Sequence, residues 1–103
     1  MVSSRGTGPF ARVHHIVRSI PAGRVMTYGQ ISEILDRRIS AAAVGWALRQ
    51  CPDDVPWHRV VASTGRCSVG ERQLARLARE GVHPRKNGCI DLDAHRHHPR
   101  SEG

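Results

Sequence analysis

The stretch from Thr27 to Arg49 constrains the fold more than any other. Thr27-Tyr28-Gly29-Gln30 fits a capping box, with the Thr27 hydroxyl capping a helix and Gln30 reaching back to the Thr27 backbone. The helix so opened turns Ile31, Ile34 and Leu35 inward. Asp36-Arg37-Arg38-Ile39 is a polar break of the right length for a turn between helices. Ser40 then caps a second helix, Ala41-Ala42-Ala43-Val44-Gly45-Trp46-Ala47-Leu48-Arg49. Two short helices joined by a tight turn make a helix-turn-helix candidate, with the second as recognition helix. Its alanines and Gly45 leave little bulk, so the helix backbone can approach a groove closely. The same alanines can equally serve to pack against neighbouring helices, and the pattern alone leaves both readings open.

Around this unit the chain divides readily. Phe10, Val13, Ile16, Val17 and Ile20 form a helical stripe, with Arg12, His14, His15 and Arg18 on the wet side and Pro21-Ala22-Gly23 as the stop. Arg24-Val25-Met26 reads as a short extended segment. After the break at Cys51-Pro52-Asp53-Asp54, His58 to Ala62 reads as a strand and Ser63-Thr64-Gly65-Arg66 as a turn, together a small wing. Glu71 to Glu80 is a last helix, with Leu74, Leu77 and Ala78 inward, Arg72, Arg76 and Arg79 outward, and Gly81 ending it. Ile90 and Leu92 can still pack on the core. The expected class is mainly α with a short β wing, a winged-helix-like helix-turn-helix domain. Residues 1–9 are expected to be flexible, 10–92 to form the domain, and 93–103 to be a disordered tail.

At 103 residues there is room for one domain. Sixteen Lys and Arg residues oppose nine Asp and Glu, a formal charge of +7, and Lys86 is the only lysine. Such a balance fits a polyanionic partner, although a basic surface can also merely be soluble. The arginine bias tilts the reading toward nucleic acid, because a forked guanidinium matches phosphates and base edges. Three cysteines, Cys51, Cys67 and Cys89, are widely spaced with no CxxC, so reduced thiols are expected rather than disulfides. The nearest grouping of metal ligands is His95-Arg96-His97-His98, and neither a metal nor a cofactor is expected. Met1 to Pro9 carries no apolar run, so no signal peptide or membrane partner is expected. A cytoplasmic protein in a bacterium, or a nuclear one in a eukaryote, is the expectation.

Chemistry concentrates in Val55-Pro56-Trp57-His58-Arg59-Val60-Val61. Trp57 offers a stacking face, His58 a proton-responsive imidazole and Arg59 a planar fork of donors. Taken alone, these residues also suit a buried tryptophan beside a strand. Their order, however, resembles the Pro-Cys-His-Arg-Val motif of the O6-alkylguanine-DNA alkyltransferases, with tryptophan in place of the nucleophilic cysteine. That replacement marks the alkyltransferase-like proteins. The resemblance extends to Ile20-Pro21-Ala22-Gly23-Arg24-Val25-Met26-Thr27-Tyr28-Gly29-Gln30-Ile31, to Ala43-Val44-Gly45 and to Glu80-Gly81, covering roughly residues 10 to 82.

The resemblance implies a sensor that flips O6-alkylguanine out of double-stranded DNA, leaves it unrepaired and marks it for nucleotide excision repair proteins. It implies that Tyr28 presses on the target phosphate and that Ala42 and Gly45 lie on the recognition helix. Pro56, Trp57, His58, Arg59 and Val60 would form the motif around the flipped base, with Ser63 and Gly65 at the pocket rim. His58 and Glu80 match the pair that activates the cysteine in the transferases; without a thiol, they would support the loop instead. Arg59 is expected to brace the fold around the site.

Three departures bear on function. Trp57 removes the acceptor, since an indole nitrogen is not a usable nucleophile at neutral pH. Ala42 stands where the family inserts an arginine into the base stack, and Arg38 and Arg49 are the nearest substitutes in sequence. Only Arg66-Cys67-Ser68-Val69-Gly70 separates Gly65 from Glu71, so the family's pocket tyrosine is missing. The expected protein is a monomer and not an enzyme. The alternatives are an active alkyltransferase using a displaced cysteine such as Cys51 or Cys67, and a helix-turn-helix regulator that reads sequence.

Overall fold

The computed structural model describes residues 8–99; residues 1–7 and 100–103, most of the expected flexible lead-in and the end of the expected tail, lie outside it. In chain order the elements are α1 (Pro9–Arg18), β1 (Met26–Thr27), α2 (Tyr28–Ile34), α3 (Ala41–Arg49), a 3₁₀ turn (Trp57–Arg59), β2 (Val60–Val61), α4 (Glu71–Ala78) and α5 (Leu92–His95). The architecture is mainly α with a small β element, as the sequence implies.

The helix-turn-helix unit follows from its caps. Thr27 Oγ1 accepts from the Gln30 N–H at 3.0 Å, Gln30 Oε1 accepts from the Thr27 N–H, and Ser40 Oγ accepts from the Ala43 N–H at 3.1 Å. Between the helices, Asp36 and Arg37 adopt left-handed backbone (φ 57° and 59°), which reverses the chain abruptly. The Ser32 hydroxyl donates to the Ile39 carbonyl at 2.6 Å and ties the turn shut. α3 packs against both α1 and α2. Two inward assignments fail: Ile34 is exposed, because the left-handed turn ends the apolar stripe at Leu35, and Phe10, in the first turn of α1, is exposed as well.

The β element differs from the expected wing. His58 lies in the 3₁₀ turn, and only Val60–Val61 is strand, paired in parallel with β1 (Met26 opposite Val60, Thr27 opposite Val61). The long connection through α2 and α3 makes the parallel pairing possible. Successive strand residues point to opposite faces, and this alternation divides the core in two. Met26 and Val60 join Val13, Val17, Ile31 and Val44 on the helix-turn-helix side. Val25 and Val61 join Leu77, Val82, Cys67 and Ile90 on the side of α4.

The expected tail boundary is also revised. Asp91 caps α5 through its carboxylate, the Val25 N–H donates to the His95 carbonyl at 2.9 Å, and the His97 N–H donates to the Val25 carbonyl at 2.7 Å. Residues 93–97 therefore lie on the domain, held by backbone groups that a Pro-, His- and Arg-rich composition does not advertise. Their docking reaches the helix-turn-helix unit, because Gln30 Nε2 donates to the His97 carbonyl at 2.7 Å. His14, assigned to the wet face of α1, is half-buried with Nε2 at 2.8 Å from the Ala47 carbonyl of α3.

Candidate nucleic-acid interface

A cavity of about 840 Å³ opens between α3, the start of α2, the 3₁₀ turn and α4. Tyr28, the first residue of α2, stands at one side, held against α3 where a side chain at Gly45 would meet its ring at 3.9 Å. That is ordinary van der Waals distance, so Tyr28 packs beside the helix with room for a methyl group at position 45. The Tyr28 hydroxyl lies 2.9 Å from Ser68 Oγ, across the cavity mouth.

Trp57 is half-buried on the opposite side, flanked by the guanidinium groups of Arg72 and Arg76 at 5.1 and 5.2 Å from its ring centroid. Both distances are within reach of a cation–π attraction, and α4 holds the two arginines on one face at i, i+4. With Arg49, they give the cavity three cationic side chains against one acid, Asp53. An open cleft with this charge suits an anionic polymer.

Behind Trp57 lies an ion-pair network. Glu80 accepts from Arg59 Nη2 at 2.7 Å and Nε at 3.0 Å and from the Gly23 N–H at 3.2 Å, and His58 Nε2 lies 2.9 Å from Glu80 Oε2. Arg59 Nη1 also donates to the Ile20 carbonyl at 2.8 Å. Burial alone would push the Glu80 carboxyl up; the hydrogen bonds from Arg59, His58 and Gly23 and the charge of Arg59 outweigh it and hold the group at about 2. These bonds clamp the Ile20–Gly23 turn, the motif loop and the end of α4 together. Gln73, fully buried, completes the support by donating to the His58 and Val60 carbonyls at 3.0 and 2.8 Å.

The structure thus brings Tyr28, Ala42, Gly45 and Trp57 to one cavity and sets His58, Arg59 and Glu80 behind it. Pro56, Val60, Ser63 and Gly65 do not line it. Val60 is a buried strand residue whose carbonyl is occupied by Gln73. Gly65, at φ 89°, packs on the Ile90 backbone, where a Cβ would sit 2.2 Å from the Ile90 oxygen. Of the two suggested substitutes for an arginine at position 42, Arg49 lines this cavity, whereas Arg38 lines a smaller one with Pro9 and Arg12. Sequence reading missed Ser68, Arg72, Arg76 and Gln73. Only Gln73 carried a signal, a polar residue four before Leu77 on an otherwise apolar stripe. Among the described residues, no group of three or more His, Cys, Asp or Glu could hold a metal ion.

Fold and site together define a DNA-binding domain. The chain belongs to the family described as the 6-O-methylguanine DNA methyltransferase DNA-binding domain, whose model matches residues 9–82. Within it the chain is similar to the "DNA base-flipping protein" of Escherichia coli, with 38% identity over 91 residues, covering 82% of this chain and 70% of that protein. It is 40% identical over 81 residues to "Alkyltransferase-like protein 1" of Schizosaccharomyces pombe, covering 71% and 75% of the two chains. The solved structure of S. pombe Atl1 in complex with damaged DNA containing O6-carboxymethylguanine matches with a TM-score of 0.75 at 31% identity, covering 96% of this chain and all of that one.

Proposed function

We propose that this chain is a non-catalytic sensor that flips O6-alkylguanine from duplex DNA into the cavity beside Trp57 and leaves the alkyl group in place. The observation that carries the reading is Trp57 itself. The motif loop presents an indole, not a thiol, to the cavity, while the His58–Glu80 pair behind it is tied up with Arg59. An indole offers no thiolate to accept an alkyl group, yet its ring can stack on a planar guest when Arg72 or Arg76 turns from it to a phosphate. The cavity also falls in the range of sites that enclose small ligands.

Flipping costs a few kcal/mol and is cheapest for a base that already pairs badly, so an alkylated guanine is selected by weak pairing as well as by fit. On this reading Tyr28 presses on the backbone of the departing nucleotide and Arg49, Arg72 and Arg76 supply phosphate contacts, which their shared lining of the cavity supports. A protein that holds a lesion without removing it must pass it on. The reading accordingly includes hand-over to nucleotide excision repair.

Burial pushes the Cys51 and Cys67 thiols up, leaving both in the poorly nucleophilic protonated form at neutral pH, which disfavours transfer to a displaced cysteine. The test is competition between duplexes of one sequence, with and without O6-methylguanine, for the purified chain. The sensor reading expects clear preference for the modified duplex. Equal binding would leave a helix-turn-helix protein with no interest in the lesion and overturn it.

A further inference from the structure

A flipped nucleotide leaves a hole in the stack, and something must fill it or the full unstacking cost stands. The cavity-facing surface of α3 is formed by Ala41, Ala42, Gly45, Trp46, Leu48 and Arg49. Three of these end at or before Cβ, Leu48 is half-buried against the core, and Arg49 is at the far end of the helix. Trp46 is different: it is 56% exposed, more than any other large apolar side chain among the described residues.

Its position is informative. Trp46 follows Ala42 by one helical turn and shares its face, and long helical side chains lean toward the helix N-terminus. The indole is therefore within reach of the ground that Ala42 leaves empty, and both residues line the same cavity. The Arg49 guanidinium lies 5.4 Å from its ring centroid, putting a phosphate-binding charge beside an apolar plane. An exposed tryptophan next to a cationic cleft is poorly explained by stability. Proteins that bend or open duplexes commonly insert an apolar wedge between base steps, and an indole also has the flat face that stacks on any base.

We propose that Trp46 is the wedge that enters the base stack when the target nucleotide leaves it. The inference rests on the flipping reading above and assigns a residue to the filling step, which Tyr28 and Trp57 do not perform. One stacked base contact corresponds to roughly a 5- to 150-fold change in affinity. Trp46→Ala should lose that much on a duplex carrying O6-methylguanine but clearly less on a single-stranded oligonucleotide with the same lesion, since no stack needs filling there and only chance stacking is lost. Trp46→Phe should recover most of the duplex affinity.

The spectroscopic arm uses Trp57→Phe at DNA concentrations shown to saturate that variant, which leaves Trp46 as the sole tryptophan. Its emission should be quenched on the modified duplex beyond any change on the single strand. Thermal melts check that each variant is folded, which the exposure of Trp46 favours. Equal losses on duplex and single strand, or unchanged duplex binding by Trp46→Ala, would overturn the inference while leaving the flipping reading standing. If the wild type shows no preference for the modified duplex, the flipping reading fails and this inference falls with it.

Discussion

Glu80→Gln removes one negative charge from the centre of the clamp behind Trp57 while keeping the side chain's shape. In the wild type the carboxylate accepts from Arg59, Gly23 and His58, and its side chain is only 14% exposed. Its shift from the usual 4.5 to about 2 corresponds to about 3 kcal/mol of stabilisation of the charged form at neutral pH. Removing one partner of a largely buried ion pair independently suggests about 3–5 kcal/mol, because Arg59, 17% exposed, is left uncompensated. The prediction is a loss of about 3 kcal/mol at pH 7, read by urea unfolding. The sign follows from the depressed value. A carboxyl that ionises more readily when folded stabilises above its unfolded value and loses that contribution as pH falls. The wild type should therefore weaken between about pH 5 and pH 2, and Glu80→Gln should show a flatter profile there. A loss below about 1 kcal/mol, with the acid slope unchanged, would refute the view that this ion pair holds the motif loop.

Tyr28→Ala should weaken binding to the modified duplex about tenfold or more in equilibrium titrations, with a smaller effect on unmodified DNA; equal effects on both would remove its role in flipping. Arg72→Ala and Arg76→Ala should each reduce the slope of log affinity against log salt by about 1, and an unchanged slope would take that arginine off the phosphates. Gly65→Ala should cost more than about 3 kcal/mol, combining left-handed strain with the contact at the Ile90 oxygen. Gly70→Ala, at φ 83° and ψ −140° with open space around it, meets backbone strain alone and should cost about 1–3 kcal/mol, a contrast that thermal melts can resolve. Deleting residues 92–103 removes three hydrogen bonds onto Val25 and Gln30 and should destabilise the domain by about 1.5–4 kcal/mol, with unaltered unfolding as the contrary result.

Much of the frame was legible because it is written in local chemistry. The Thr27–Gln30 box, the Ser40 cap and Gly81 each act within a few residues, so their spacing reveals them directly. Trp57 and Tyr28 stood out through motif order, although nothing local says that they share a cavity. The sequence puts the α4 arginines on a solvated face; they are exposed, but the packing of α4 against the motif loop lays Arg72 and Arg76 beside Trp57. Motif position points to Ser63 and Gly65 as the pocket rim, whereas the short loop before α4 brings Ser68 and Val69 to the cavity. The docking of residues 93–97 relies on backbone carbonyls and N–H groups, which every sequence possesses, so composition alone points the other way.

A sensor recognises the lesion and does no chemistry on it. Capturing the protein on a duplex carrying O6-methylguanine, in competition with excess unmodified duplex, and weighing both recovered components by mass spectrometry after prolonged incubation examines both properties at once. Selective capture with the masses of protein and oligonucleotide unchanged is the expected result. A protein heavier by one methyl group, matched by its loss from the DNA, would contradict it.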